Sequence, residues 1–384
     1  MKNIKIIMIF FNICFLMSIC IPVNAETEKE LDQSLYAKSA LLMDADSGRI
    51  LYEKNGYQSM KNASTTKILT CIVALEYGDM SQLCTVSEYA ASMPKVHLGM
   101  KKDQQFILMD LLYSLMLESH NDSAVVIAES VAGDVVKFAE LMNKKARQLG
   151  ARNTTFVTPN GLDAERHETT AYDLAVITKY ALGNDEFVKI INTPSYTFTD
   201  TTKEKQYNVY NKNMFLSTYD GAYGVKTGFT GGAGYCFVGA SKKGNHNLIS
   251  VVLASGWPPN KTYKWYDTMK LMNYGRKSFI VKKIKEKQSI QPIYIKRGRK
   301  DRLEVTYEPY KILVREDDNI EVQVDLPERA QAPIKKNQRL GYINVYINQV
   351  LEKKIPLKAK EEIKEVSFYY ILEKVIKRYL FDVN

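Results

Sequence analysis

The run Ile-Leu-Thr-Cys-Ile-Val-Ala-Leu at 68–75 constrains this chain more than any other stretch. It is apolar on nearly every side of a helix, and such a helix is buried in a core. Gly78 is a stop signal for it. The fold must therefore close around this segment. Directly before it stand Ser64-Thr65-Thr66-Lys67. Residues three apart share a helix face, so Ser64 and Lys67 point the same way at the polar mouth of an apolar helix. Desolvation disfavours an ammonium, so Lys67 can accept a proton near neutral pH from the neighbouring hydroxyl. Alone, S-x-x-K is a weak signal, because an N-cap serine beside a snorkelling lysine reads the same.

A chain of 384 residues exceeds what one core usually organises, so two domains are expected. Residues 1–25 read as a signal peptide. Lys2 and Lys5 form the basic region, 6–21 the apolar region, and Val23-Asn24-Ala25 the cleavage site. Ile19 before Cys20 argues against a lipoprotein, and an uncleaved anchor is the lesser alternative. The expected mature layout is a catalytic domain at 26–278, a small β domain at 279–358 and a C-terminal segment at 359–384.

Loss of Lys2 and Lys5 lowers the formal net charge from +10 to +8. That excess is either a solvated basic surface or an attraction to anionic envelope polymers and phospholipid. Nucleic acid is not expected of an exported chain without a nucleic-acid motif. Of five cysteines, Cys14 and Cys20 leave with the leader. Cys71, Cys84 and Cys236 remain, an odd number that fits no closed disulfide framework. No metal-ligand spacing occurs, and neither a metal nor a cofactor is expected.

Apolar spacing predicts a strand over 38–43, a turn at 44–48 and a returning strand over 49–53. Helices are predicted over 104–118, 124–131, 138–149 and 172–182, with a loop over 153–173. Strands follow at 223–229, 235–241 and 248–254, then a helix at 264–274. Strands at both ends with helices between predict an α+β domain around an antiparallel sheet. Short alternating runs at 293–295, 303–307, 311–314, 320–324, 340–345 and 350–355 predict the small all-β domain, a β-sandwich.

Two further motifs strengthen the first. Ser119-His120-Asn121 joins two predicted helices and offers a second hydroxyl and an amide. Lys226-Thr227-Gly228 lies on a predicted strand, where glycine lets a ligand approach the backbone closely. S-x-x-K, S-x-N and K-T-G in this order are the signature of serine penicillin-binding proteins and serine β-lactamases. The stretches 43–52, 63–67, 159–162, 170–174, 211–213 and 226–236 further resemble the D-alanyl-D-alanine carboxypeptidases, the low-molecular-mass penicillin-binding proteins. The resemblance covers about residues 36–276 and, more loosely, the β domain.

The resemblance implies a transpeptidase-type catalytic fold and a set of roles. Ser64 attacks the carbonyl of the terminal D-Ala-D-Ala bond of a peptidoglycan stem peptide, and Lys67 takes its proton. Ser119 relays a proton to the leaving D-alanine. Asn121 holds the acyl side, while Lys226 and Thr227, with Gly228 beside them, bind the terminal carboxylate. The backbone N–H groups of Ser64 and Phe229 form the oxyanion hole. Water then hydrolyses the acyl-enzyme, and β-lactams leave Ser64 acylated. Three positions depart from the family pattern. His120 stands where relatives often carry glycine, and Asn62 where proline is common. The stretch 257–266 offers only Lys261 and Lys264 where relatives carry a carboxylate-binding arginine. The stretch 256–265 resembles sporulation-associated carboxypeptidases of Gram-positive spore formers.

A class A β-lactamase would need a deacylating glutamate in an E-x-x-x-N-type loop, and none is found. A recognition module with a dead site is disfavoured because every motif residue is present. A zinc peptidase is disfavoured because His97, His120, His167 and His246 are scattered and make no H-E-x-x-H. A Ser-His-Asp hydrolase lacks G-x-S-x-G.

At 100° per residue, Phe368, Ile371, Leu372, Val375, Ile376 and Tyr379 fall on one side of a helix over 368–380. Glu373, Lys374 and Lys377 fall opposite. The segment is too short and too charged to span a bilayer, which predicts an amphipathic helix on an anionic membrane surface. The alternative is packing on the β domain or on another chain.

Overall fold

A computed structural model describes residues 28–201, 205–284 and 290–381. The expected leader at 1–25 lies outside the described residues.

The catalytic domain is built on five antiparallel strands in the order Ile50–Lys54, Ser39–Asp44, His246–Leu253, Gly234–Lys243, Ala222–Thr230. Ser39–Asp44 is buried along its whole length because both sheet faces are covered. Side chains alternate across the sheet, and the two sets enter different cores. Leu41 and Met43 pack in a core with Ile68, Leu69 and Ile72 of the predicted apolar helix. Ala40 and Leu42 pack with Leu271 and Met272 of the helix Tyr263–Ser278. The apolar helix itself runs over Lys67–Tyr77, with residues 67–74 all buried. It is the centre of the helical layer, as its sequence demanded.

Two local expectations change. The predicted helix from 104 begins only at Leu108, because Gln105–Ile107 forms a strand paired with Leu83–Thr85. Phe106 faces Cys84 in that ladder and its ring meets Phe198 and Tyr207 edge-on, so tertiary packing overrides helical spacing. A helix at Asp185–Asn192 and a hairpin of Ser195–Thr199 with Gln206–Tyr210 fill a stretch for which no element was expected.

The chain then enters an all-β region. Ile280–Ile284 pairs with Tyr310–Val314, and Ile293–Lys296 pairs with Arg302–Leu303 and Arg329–Gln331. Four further strands, Val305–Thr306, Val350–Ala359, Arg339–Ile347 and Ile320–Asp325, form the largest β sheet of this region. Ile363 belongs to one of its two cores. Arg49 joins it to the catalytic domain, donating to the Leu313 carbonyl at 2.6 Å and to Asp318 at 2.9 Å. The helix Phe368–Phe381 closes the described chain.

Candidate active site

Ser64 sits in a 3-10 turn, Ala63–Thr66, that feeds directly into the buried helix. The turn is held by side chains. Thr65 Oγ1 donates to the Asn62 carbonyl at 2.6 Å, and Thr66 Oγ1 to the Ala63 carbonyl at 2.8 Å. Asn62 Nδ2 donates to Thr66 Oγ1 at 2.9 Å and to Thr65 Oγ1 at 3.2 Å. Asn62, which departs from the family pattern, thus makes bonds no proline could make.

Lys67 is 0% exposed. Its Nζ has three neighbours: Ser64 Oγ at 2.9 Å, Asn121 Oδ1 at 2.9 Å and the Asn160 carbonyl at 2.6 Å. Burial holds its pKa well below the ordinary lysine value, and the charge of Lys226 lowers it further, against a smaller opposite pull from Asp122. A neutral amine has two N–H groups and one lone pair. The Asn160 carbonyl can only accept. Asn121 Nδ2 donates to the Pro94 carbonyl at 3.2 Å, so its Oδ1 faces Lys67 and can also only accept. The two N–H groups go to these oxygens. The lone pair is left for Ser64, the one neighbour with a proton to give.

Ser119 and Asn121 flank the junction of the helices Leu108–Leu117 and Asn121–Ala132. Ser119 adopts φ +71°, a left-handed conformation that is costly for a residue with a side chain. Its Oγ is buried and has no hydrogen-bond partner among the described residues. His120, between them, is the N-cap residue of the second helix.

Lys226-Thr227-Gly228 lies on the edge strand Ala222–Thr230. Lys226 is buried and its pKa is pushed down to about 7 by burial alone. Thr227, the next residue along, is partly exposed. A Cβ on Gly228 would stand 3.0 Å from Ser64 N and 3.0 Å from the Asn62 carbonyl. Only glycine lets the strand lie this close to the nucleophile turn. The next residue, Phe229, is exposed and its ring packs on Tyr235 with centroids 4.6 Å apart.

Two functional parts carry no motif. The first is the backbone of Asn160, which reaches Lys67 because Gly161 follows with φ +79°. A Cβ there would overlap the Ala63 carbonyl. The second is His167, whose Nε2 lies 2.9 Å from Thr66 Oγ1. Its Nδ1 accepts from Val157 N at 3.0 Å and Thr158 N at 3.2 Å. His167 therefore ties the Asn160 loop to the nucleophile turn as a neutral Nε2–H tautomer. Burial pushes its pKa down to about 4. Asp163 fastens the same loop to the K-T-G strand by accepting from Thr230 Oγ1 at 2.9 Å. Lys264 donates to the Lys261 carbonyl at 2.6 Å and its ammonium lies 4.7 Å from the ring centroids of Tyr235 and Trp265. Neither lysine offers the planar fork of an arginine.

A serine beside a buried lysine, set against the edge strand of an antiparallel sheet that carries K-T-G, is the arrangement of the penicillin-recognising serine enzymes. Residues 24–256 match the family described as D-alanyl-D-alanine carboxypeptidase, and residues 279–365 match the C-terminal domain of penicillin-binding protein 5. The chain belongs to the D-alanyl-D-alanine carboxypeptidase family. It is 32% identical over 350 residues to the D-alanyl-D-alanine carboxypeptidase DacF of Bacillus subtilis, covering 88% of this chain and 89% of that protein. It is 31% identical over 355 residues to DacC of Escherichia coli, covering 88% and 86%. Penicillin-binding protein 5 from Haemophilus influenzae superposes with a TM-score of 0.73 at 27% identity, covering 86% of this chain and 98% of that one. The expected fold class, family and enzyme type all stand.

Proposed function

We propose that Ser64 is the acylated nucleophile of a serine-type D-Ala-D-Ala carboxypeptidase and that neutral Lys67 is its base. The observation that carries this is the Lys67 amine, whose two acceptor-only neighbours leave the lone pair to Ser64 Oγ. The Ser64 oxygen attacks the penultimate D-alanine carbonyl of a stem pentapeptide as its proton passes to Lys67 Nζ. The unpartnered Ser119 hydroxyl is the group that passes a proton to the leaving amine. Lys226 and Thr227 take the terminal carboxylate, and Asn121 the acyl side. In this scheme the backbone N–H groups of Ser64 and Phe229 stabilise the developing oxyanion; such a donor typically contributes ~10²–10³ in kcat. Water then hydrolyses the ester and frees Ser64. The test is release of free D-alanine from a pentapeptide ending in D-Ala-D-Ala. Wild-type protein should release it and Ser64→Ala should not. Equal release by both would end the assignment, and transfer to an amine with no hydrolysis would make the enzyme a transpeptidase.

We further propose that the chain works outside the cytoplasm, against an anionic membrane, with peptidoglycan stem peptides and β-lactams as its ligands. Phe368, Ile371, Val375 and Tyr379 are more than half exposed on the C-terminal helix. No helix among the described residues is long and apolar enough to cross a membrane. Burial of an apolar side chain contributes ~1.5–3 kcal/mol, so partial burial of several suffices for peripheral binding. Flotation with anionic liposomes at low salt should carry the mature chain upward and leave behind a chain ending at Val366, which keeps Ile363 in the β core and lacks the helix. Equal recovery of both in the soluble fraction would rule the anchor out.

A further inference from the structure

His120 has no part in the acyl-transfer scheme, yet it stands between two residues that do. Its side chain is buried and both ring nitrogens are engaged. Nδ1 lies 2.8 Å from Ser114 Oγ, which lies 2.7 Å from Ser123 Oγ. Nε2 lies 3.2 Å from Glu118 Oε2. Glu118 Oε1 in turn accepts from Lys212 Nζ at 2.9 Å and from Tyr210 N at 3.1 Å. Lys212 N also donates to the Leu117 carbonyl at 3.1 Å. The ring therefore bridges three pieces of chain: the helix Leu108–Leu117, the helix Asn121–Ala132 and the segment 210–212.

The piece being bridged is strained. Ser119 holds φ +71° with a side chain, and such a conformation persists only where its surroundings over-determine it. Among the described residues the Ser119 hydroxyl has no hydrogen bond of its own to fix it. Its backbone neighbours are fixed instead, by Glu118 on one side and His120 on the other.

We infer that His120 is a positioning residue for acylation, locking the strained Ser119 turn so that the Ser119 hydroxyl keeps its place and the Asn121 amide stays on Lys67 Nζ. The inference rests on the acyl-transfer reading above. The ring acts in its neutral form. Burial lowers its pKa, and the opposite pull of Asp122 and Glu118 is smaller. With Glu118 held ionised by its Lys212 and Tyr210 N partners, Nδ1 accepts from Ser114 Oγ and the Nε2–H faces Glu118 Oε2 at 3.2 Å.

The test separates positioning from stability. Acylation by a chromogenic penicillin is followed under single-turnover conditions at 25 °C, giving the prior binding constant and the acylation rate separately, with thermal unfolding measured in parallel. His120→Ala removes both the Ser114 bond and the Glu118 contact. His120→Gln can keep the donor to Glu118. Glu118→Gln keeps the shape and weakens the pull on the ring, and it serves if His120→Ala does not fold. His120→Ala should slow acylation about 10- to 100-fold with the binding constant nearly unchanged, as misplacement of a reacting group does. Glu118→Gln should slow it less, and His120→Gln should recover most of the loss. A fall in unfolding temperature with wild-type acylation rates in the folded variants would overturn the inference. Wild-type protein that is not acylated at Ser64 would instead overturn the reading on which it rests.

Discussion

Lys67 Nζ and the carbonyl oxygen of Asn160 are 2.6 Å apart, and neither is exposed to water. With Asn121 Oδ1 at 2.9 Å, this carbonyl uses the hydrogens of the amine and leaves its lone pair to the nucleophile. The arrangement depends on neutral acceptors. In Asn121→Asp a carboxylate would stand beside the amine and favour the ammonium. Acylation should slow about 100-fold at neutral pH, a factor of ten for each pH unit over which the amine stays protonated. The loss should shrink as the pH is raised. An acylation rate for Asn121→Asp with the wild-type pH profile would contradict a neutral Lys67.

Lys226 controls the other side of the profile. Burial pushes its pKa down to about 7 in the empty enzyme, and with Lys67 neutral no repulsion is added. In the proposed scheme the charged form binds the substrate carboxylate, so kcat/KM should fall on the alkaline side as the cation is lost. Lys226→Arg keeps its charge throughout. It should lower the maximum but flatten the alkaline limb. An unchanged alkaline limb in that variant would mean another group sets it.

Gly228 is tested by the smallest possible addition. Its Cβ in Gly228→Ala would stand 3.0 Å from Ser64 N and 3.1 Å from Ala63 Cβ. The K-T-G strand must then shift by a few tenths of an ångström from the turn that carries the nucleophile. An acylation loss of about tenfold or more is expected, with little change in unfolding temperature, because the position is on an edge strand. Wild-type acylation would show that the strand can move without cost to the reaction.

The histidine beneath the site predicts a pH dependence of stability. An ordinary histidine takes its proton near pH 6.5, whereas His167 resists until about 4. Between those values the unfolded chain binds a proton that the folded chain refuses. Stability from this residue is therefore full above about pH 6.5 and falls as the pH drops toward 4, by on the order of 3 kcal/mol. Urea midpoints at pH 7.5 and pH 4.5 check this. His167→Gln should be less stable than wild type at the higher pH and lose less on acidification. The same acid loss in both proteins would remove His167 from the account.

Much of this site was legible because its chemistry is local. Ser64 and Lys67 are three residues apart, Ser119 and Asn121 two, and Lys226 to Phe229 are consecutive. Spacing marked the motifs, the roles came with the family resemblance, and the fold brings Ser64, Lys67 and Asn121 into contact. Asn160 and His167 were not legible as parts of the site. A carbonyl has no side-chain signature, and His167 acts through Thr66, a partner 101 positions earlier in the chain. The fold shows the same division. The strands Ser39–Asp44 and His246–Leu253 were readable as apolar runs. The strand Gln105–Ile107 was read as helix because three residues cannot distinguish the two periods. Its identity depends on Cys84 and Phe198, which meet it only in the folded chain.

The central claim is that Ser64 becomes acylated because Lys67 is a neutral base beside it. Peptide mapping by mass spectrometry after incubation with a penicillin tests it most directly, on wild type and on Lys67→Arg. A guanidinium cannot give up its proton in this range. The account predicts one adduct, on the peptide containing Ser64, in wild type and none in folded Lys67→Arg. An adduct on any other residue, or wild-type labelling of Lys67→Arg, would contradict it.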